Sequence, residues 1–507
     1  MLFVEVAQTS AAIAQTSARK KKVALLSALL SKAPAGERAI AARYLSGDTG
    51  HKLGIGYATV HEMRTAVPPA PTAAVTLTEV DARLAAIAGM SGTGSNKARK
   101  DAYGALLAAA TELEQGFLGA IVVGELRQGA LDALVVDAVA DATGIEAKRV
   151  RTAYMLAADI GAVAAAALAD GLAGVERFGL TIFRPVLPML AQTAEDTAEA
   201  LANFGGEPMS LELKLDGFRV QIHKDGEAIR AFSRALNDVT ASVPEVISAI
   251  RALPAQQLIL DGEAIAYGPN GRPLPFQDTM KRKSEAGGAL SLSAFDILLV
   301  DGQTMLSVPA RDRFQALGEL APAYAVPRII TADAGAAAAF YEDAVAKGHE
   351  GVMAKALDAP YDAGNRGASW LKIKKVRRLD LVVLAAEWGS GRRKGWLSNI
   401  WLGARDPAGG EPVMLGKTFK GMTDAMLAWQ TAQFLAREVD RDGHIVYVRP
   451  ELVVETAFND VQRSSQYPGG LALRHARVVR YRDDKTAAEA DTIDAVRAIA
   501  IADGVLG

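Results

Sequence analysis

The sequence contains no cysteine. That absence excludes disulfides, cysteine-based zinc modules, thiolate metal sites and a thiol nucleophile. Histidine is scarce as well, with six in 507 residues, scattered and never in the HExxH spacing. A metal, if used, is therefore expected to be a hard ion such as Mg²⁺, held by carboxylates, phosphates and water. No apolar run approaches the length of a membrane span; the Ala-rich stretch 161–172 is too short and is broken by Asp170. The opening MLFVEVAQTS lacks a charged segment followed by an apolar core, so no signal peptide is read there and a cytoplasmic protein off the membrane is expected. Neither sign of charge is in excess: Lys plus Arg number 56 and Asp plus Glu 58, a formal net charge of −2. A nucleic-acid partner would have to be met by local patches rather than a global basic field.

Half of the residues are apolar and 22% are charged, as in ordinary globular proteins. The length suggests about three domains. From 1 to 172 the pattern reads as helix. Apolar residues recur at three- and four-residue spacing in 23–30, 84–87, 103–113 and 131–142, with breaks at 46–50, 67–72 and 91–96. From 173 to 376, short alternating or β-branched runs at 211–215, 218–223, 228–232, 258–267, 294–300 and 351–354 are interleaved with helical segments at 244–252, 310–320 and 336–347. That is an α+β pattern. From 377 to 507, five strands are predicted at 379–387, 400–404, 413–419, 445–448 and 452–458, with one helix at 423–437. Such content suits a small β-barrel of the OB-fold kind.

Residues able to do chemistry concentrate in the middle region. In Glu212-Leu213-Lys214-Leu215-Asp216-Gly217-Phe218-Arg219, strand alternation puts Glu212, Lys214 and Asp216 on one face before Gly217 turns the chain. A polar strand face ending in a turn is the plain alternative. K-x-D-G-x-R arises by chance in roughly 0.3% of chains this long at ordinary residue usage. More follows in order: Ser233-Arg234, Asp261-Gly262-Glu263, Phe295-Asp296, Glu350-Gly351-Val352-Met353-Ala354-Lys355, Arg366, Trp370-Leu371-Lys372-Ile373-Lys374-Lys375, and a basic run from Arg474 to Lys485. Taken singly, Phe295 reads as core, Arg366 as a loop charge and the last run as a solvated face. A lysine nucleophile must be neutral to attack, and burial or nearby cations favour that form. Lys372 and Lys374, alternating on one strand face, are expected to supply those cations and to hold a phosphate while charge builds on it.

As an ordered set these motifs resemble those of the covalent nucleotidyltransferases, namely ATP-dependent DNA ligases, RNA ligases and mRNA capping enzymes. The whole chain is similar to bacterial ATP-dependent DNA ligases of the ligase B type, including Gly124-Glu125-Leu126-Arg127-Gln128-Gly129-Ala130 and Gly416-Lys417-Thr418-Phe419-Lys420-Gly421. The resemblance implies an all-α DNA-binding domain at 1–172, an α+β adenylation (nucleotidyltransferase) domain at 173–376 and an OB-fold β-barrel domain at 377–507. It implies that Lys214 attacks the α-phosphorus of ATP, leaving a lysyl-AMP bond, that AMP then passes to the 5′-phosphate of a nick, and that the 3′-hydroxyl finally displaces it. Glu212 would accept from the adenine amino group, Arg219 and Glu263 would hold the ribose, and Phe295 would stack on the base. Arg234, Arg366, Lys372 and Lys374 would contact ATP, and Glu263 and Glu350 would hold Mg²⁺. The segment carrying Arg482 and Lys485 would swing over the site and orient the pyrophosphate. In it, His475 and Ala476 stand where many members have an aromatic residue and proline. The implied partner is nicked duplex DNA, bound by a monomer without sequence preference in replication, repair or recombination. Phosphate contacts would come from Arg19-Lys20-Lys21-Lys22 and the basic segments 91–100 and 390–395.

Two look-alikes fail. The stretch from Gly410 to Thr418 resembles a Walker A loop but has five residues between its glycines where four are needed. Gly54-Ile55-Gly56-Tyr57 lacks the later glycine of a dinucleotide fingerprint. An NAD-dependent ligase is disfavoured by the missing cysteine zinc module. An RNA ligase or capping enzyme is disfavoured by the long helical region, and a non-catalytic DNA-binding protein by the intact Lys214, Lys372 and Lys374.

Overall fold

The computed structural model describes residues 1–126, 128, 131–268, 271–274, 279, 290–362 and 366–506. Helical spacing of Ala, Leu and Val gives the first region ten α-helices among the described residues, from Phe3–Ala14 to Ile160–Glu176, and no strand. Their apolar faces close on one core, where Phe3 meets Tyr44 edge-on at 6.2 Å and Phe117 at 5.7 Å between ring centroids. The run 103–113 divides into two helices, Ser95–Ala108 and Glu112–Val122, because Thr111 and Glu114 form a capping box that starts the second. The last helix passes the expected boundary at 172 and runs to Glu176, since Gly171 at φ +58° kinks it without ending it.

Between 190 and 374 the chain contributes ten strands among the described residues: β1 (Leu190–Thr193), β2 (Met209–Lys214), β3 (Phe218–Asp225), β4 (Ala228–Ser233), β5 (Gln257–Ala266), β6 (Leu290–Val300), β7 (Gln303–Thr304), β8 (Arg328–Thr331), β9 (Gly351–Ala356) and β10 (Arg366–Lys374). They form two five-stranded sheets, ordered β1-β10-β9-β2-β8 and β4-β3-β5-β6-β7. The chain crosses from one sheet to the other at Leu215-Asp216-Gly217, directly after Lys214. A Cβ on Gly217 would stand 2.2 Å from the Ala264 carbonyl oxygen, so only glycine lets the crossover run this close to β5 as it enters β3. Gly351, at φ +145°, is held as tightly against the Ile373 carbonyl oxygen, 2.0 Å from where its Cβ would be.

The last region contains β11 (Arg377–Trp388), β12 (Leu397–Ala404), β13 (Val413–Thr418), β14 (Glu438–Asp442), β15 (Ile445–Val448), β16 (Val453–Phe458), β17 (Asp460–Arg463), β18 (Leu471–Arg474) and β19 (Arg477–Tyr481). Seven of them share a sheet built on β13-β12-β11-β15-β14, with β16 pairing to β11 and β19, and β17 pairs with β18 alone. Helices Asp424–Leu435 and Ile493–Ala502 pack on it through Phe434 and Val496. Sequence alternation predicts five of these strands and one helix. It misses β14, whose residues are mostly exposed and charged, the short pair β17 and β18, the arginine-rich β19, and the final helix. Only Lys375 and Val376 separate β10 from β11. Asp503, capping the final helix, lies 2.5 Å from Arg377 and 3.9 Å from Lys375. Among the described residues no helix is long and apolar enough to cross a membrane.

Candidate active site

Alternation on β2 brings Glu212 and Lys214 to one face, the first buried and the second half-buried. Lys214 Nζ lies 2.5 Å from Glu350 Oε2. Lys374, which β10 sets opposite Gly351, ion-pairs with the other oxygen of the same carboxylate. The sequence reading predicts bare cations facing the nucleophile; instead Glu350 stands between Lys214 and Lys374. Two partly desolvated ammonium groups so close together require a counter-charge. Burial pushes the Glu350 carboxyl up, but the two lysines override it and hold it below the ordinary carboxylate value. Lys372 follows two residues earlier on the same face, opposite Met353.

Glu263 approaches from the second sheet. Burial, opposed by Lys214 and Arg219, pushes its carboxyl up to about 7. Arg219 sits opposite Glu263 in the β3–β5 register, but its fork is spent elsewhere. Nε and Nη2 donate to Asp261 at 3.0 and 2.6 Å, and Nη1 donates to the Met189 carbonyl oxygen at 2.7 Å. The Tyr361 hydroxyl donates to Asp261 at 2.5 Å and accepts from Arg219 Nη2 at 3.3 Å. Burial and then Asp261 raise the Tyr361 hydroxyl well above its ordinary value, so it stays a donor.

A second cluster lies beyond Arg219. The β5–β6 register pairs Asp261 with Asp296 and Gly262 with Ala294, leaving Phe295 as the extra residue of a β-bulge. Such a bulge re-aims one side chain out of the alternation. The Phe295 ring has Lys355 Nζ at 4.8 Å, the Arg219 guanidinium at 5.3 Å and Trp370 edge-on at 5.9 Å. Lys355 is fully buried; it ion-pairs with Glu212, donates to the Phe295 carbonyl oxygen at 3.3 Å and lies 4.0 Å from the Trp370 ring centroid. Burial pulls its ammonium below the ordinary lysine value, with Glu212 pulling the other way. Arg328 completes the cluster, with Nη2 3.3 Å from Glu212 Oε2 and its guanidinium 3.8 Å over Phe314. Sequence reasoning misses Asp261, Tyr361, Lys355 and Arg328 as site residues. Asp261 and Lys355 stand inside quoted motifs and Tyr361 opens the stretch that ends at Arg366, which was a usable signal; Arg328 carried none.

The remaining expected residues are dispersed. Arg234 is exposed in the turn after β4. Arg366 opens β10, but its side chain lies outside the described residues, as do Arg127, Gly129, Ala130 and residues 363–365. Arg482 and Lys485 are not brought to Lys214; both reach Asp380, at 2.8 and 2.6 Å. The residue of that basic run that does arrive is Arg474, 2.5 Å from Asp216, with His475 following at φ +57°. In the outlying basic segments, Arg19, Lys100 and Arg392 pair with Asp137, Glu62 and Asp424, while Lys20, Lys21, Lys97 and Lys394 are exposed. Among the described residues no group of three or more His, Asp or Glu is poised to hold a metal.

Three family models match the chain: an ATP dependent DNA ligase domain at 188–374, an ATP dependent DNA ligase C terminal region at 393–485 and a DNA ligase N terminus at 57–140. A probable DNA ligase of Anaeromyxobacter dehalogenans (strain 2CP-C) is 54% identical over 511 aligned residues, covering 98% of this chain and 99% of its own. A probable DNA ligase of Beutenbergia cavernae is 52% identical and covers 99% of this chain and 100% of its own. The solved structure "Pmar-Lig_PreS3" superposes with a TM-score of 0.63 over 94% of this chain and 99% of its own, at 18% identity, a likeness of fold.

Proposed function

The chain belongs to the ATP-dependent DNA ligases, enzymes that seal DNA through an adenylate intermediate, and from that premise we propose how its residues divide the work. Lys214 is the nucleophile: its Nζ bonds to the α-phosphorus of ATP as the bond to pyrophosphate breaks. AMP then moves to the 5′-phosphate of a nick and departs when the 3′-hydroxyl attacks. The observation that carries this is the position of Lys214 Nζ, 2.5 Å from Glu350 where the two sheets meet. Glu212 and Phe295 take the adenine. Glu263 takes the ribose with Arg219, which acts largely by aligning Asp261, Tyr361 and Phe295. Arg234, Arg366, Lys372 and Lys374 contact ATP. Arg482 and Lys485 join them only after the last region turns away from the Arg474–Asp216 contact.

Glu350 Oε2 is buried and meets only the Lys214 ammonium, 2.5 Å away and out of line for a hydrogen bond, and Glu263 faces the same lysine from the other sheet. A hard ion that leans on phosphates and water needs one or two such carboxylates. The donor set therefore fits Mg²⁺, which Glu263 and Glu350 would hold and which would neutralise phosphate charge. We assign the helices through Glu176 as the DNA-binding domain, 177–376 as the adenylation domain and 377–507 as an OB-fold domain. Together they wrap a nicked duplex as a cytoplasmic monomer, through phosphates rather than bases.

The test is ATP labelled at the α-phosphate. Label should enter the protein and leave as AMP when nicked DNA is added and the nick closes. Label discharged only by a nicked RNA duplex would overturn the substrate. No label, in protein not already adenylated, would overturn the chemistry.

A further inference from the structure

Two buried polar atoms at the base end lack partners, and they are complementary. Glu212 Oε2 accepts no hydrogen bond and Arg328 Nη1 donates none. The two residues are neighbours because β2 and β8 pair Glu212 opposite Arg328. Arg328 Nη2 is 3.3 Å from the same Oε2 but out of line for a hydrogen bond. Neither side chain is free to turn away. The other oxygen of Glu212 is held by Lys355, whose ammonium is enclosed by Phe295, Phe314 and Trp370. The Arg328 guanidinium lies 3.8 Å over Phe314, and its Nη2 donates to the Phe295 carbonyl oxygen at 3.4 Å. A buried donor and a buried acceptor left unmade are costly. A ligand that presents one acceptor beside one donor relieves both.

Resting on the adenine site assigned above, we propose that Arg328 reads the base: Glu212 Oε2 accepts from the exocyclic amino group while Arg328 Nη1 donates to the ring nitrogen beside it. The carboxylate, tied to two cations, only accepts, and the guanidinium only donates. Adenine offers an amino N–H flanked by bare ring nitrogens, N1 on one side and N7 on the other. Hypoxanthine and guanine carry an oxygen at carbon 6, which sets acceptor against acceptor at Glu212. The pair thus selects ATP over GTP and ITP. Lys355 is a positioning residue here: it fixes the charge and orientation of Glu212 without touching the base.

The test uses the full chain and scores lysyl-AMP formation, or its analogue, with ATP, 1-deaza-ATP, 7-deaza-ATP and ITP. The unaltered protein should lose about tenfold in kcat/KM with the deaza analogue that lacks the contacted nitrogen, and more with ITP. Arg328→Met keeps the stacking on Phe314 but cannot donate; it should use ATP and that analogue alike. Arg328→Lys, which keeps a donor without the fork, should restore part of the preference. Equal use of ATP and both deaza analogues by the unaltered protein would overturn the assignment with no variant needed, as would full preference retained by Arg328→Met. Absence of an adduct with every nucleotide would instead overturn the Lys214 chemistry on which the site rests.

Discussion

Lys355 and Lys374 each meet a carboxylate of the same site, yet they are built on opposite plans. The Lys355 side chain is 1% exposed, and its carboxylate, Glu212, is 2% exposed. Lys374 is 21% exposed and shares Glu350 with Lys214. At the proposed base end, each charge is desolvated and tied, so geometry is held at the expense of solvation. At the proposed phosphate end one carboxylate bridges two ammonium groups, and an incoming phosphate could take either of them without stranding a buried charge. Recognition is preorganised, and transfer is left adjustable.

The largest effect should come from breaking the adjustable end. Lys214→Ala is expected to abolish the AMP adduct seen with α-labelled ATP; labelling at the wild-type level would remove Lys214 as the nucleophile. Breaking the tied end should cost stability as well as binding. Lys355→Met leaves Glu212 buried with Arg328 alone and is expected to destabilise by about 3 kcal/mol while raising KM for ATP. Adding Glu212→Gln should return much of the stability and none of the ATP affinity. Melting curves and ATP titrations check this, and a double variant as unstable as the single one would break the contrast.

Glu263 sharpens the comparison through pH. Its carboxyl is pushed up to about 7 in the folded chain, from a value of 4.5 without burial. The folded state therefore binds the proton more tightly than the unfolded state. The stability this adds is full below about pH 4.5 and is lost as pH rises through about 7. Between about pH 5 and pH 8, nucleotide-free protein in EDTA should lose up to about 3 kcal/mol relative to Glu263→Gln. Parallel pH profiles for the two would contradict it. The smallest effect should follow from Arg474→Ala, because the Arg474–Asp216 pair is partly exposed and worth about 1 kcal/mol. Nick closure should slow by roughly fivefold and more than adduct formation does. Equal slowing of the two steps would argue against a role for this contact after adenylation.

Glu212, Lys214 and Lys374 stand where strand alternation sets them, whereas Phe295 arrives through the bulge in β6 and Glu350 from just before β9. What sequence spacing could not convey is what lies across the sheets. Arg328 reaches Glu212 through the pairing of β2 with β8, and Tyr361 reaches Asp261 from the segment between β9 and β10, each from far along the chain. Nor could it convey where a charge rests: Arg482 and Lys485 belong to the basic run, yet here they lie on Asp380. The fold divides the same way. The apolar run of β11 reads plainly as a strand, whereas β14, Glu438–Asp442, looks like a charged loop until β15 pairs with it.

Asp503 carries a mechanical consequence. A connector of two residues joins β10 to β11, and its first residue, Lys375, and the first residue of β11, Arg377, lean on that one carboxylate. Stiffness at the pivot is thus set by a residue remote in sequence, and it can be tuned without altering the connector itself. Asp503→Asn should act like a released clutch, which faster amide hydrogen exchange at 375–377 would register while ATP and Lys214 are left untouched.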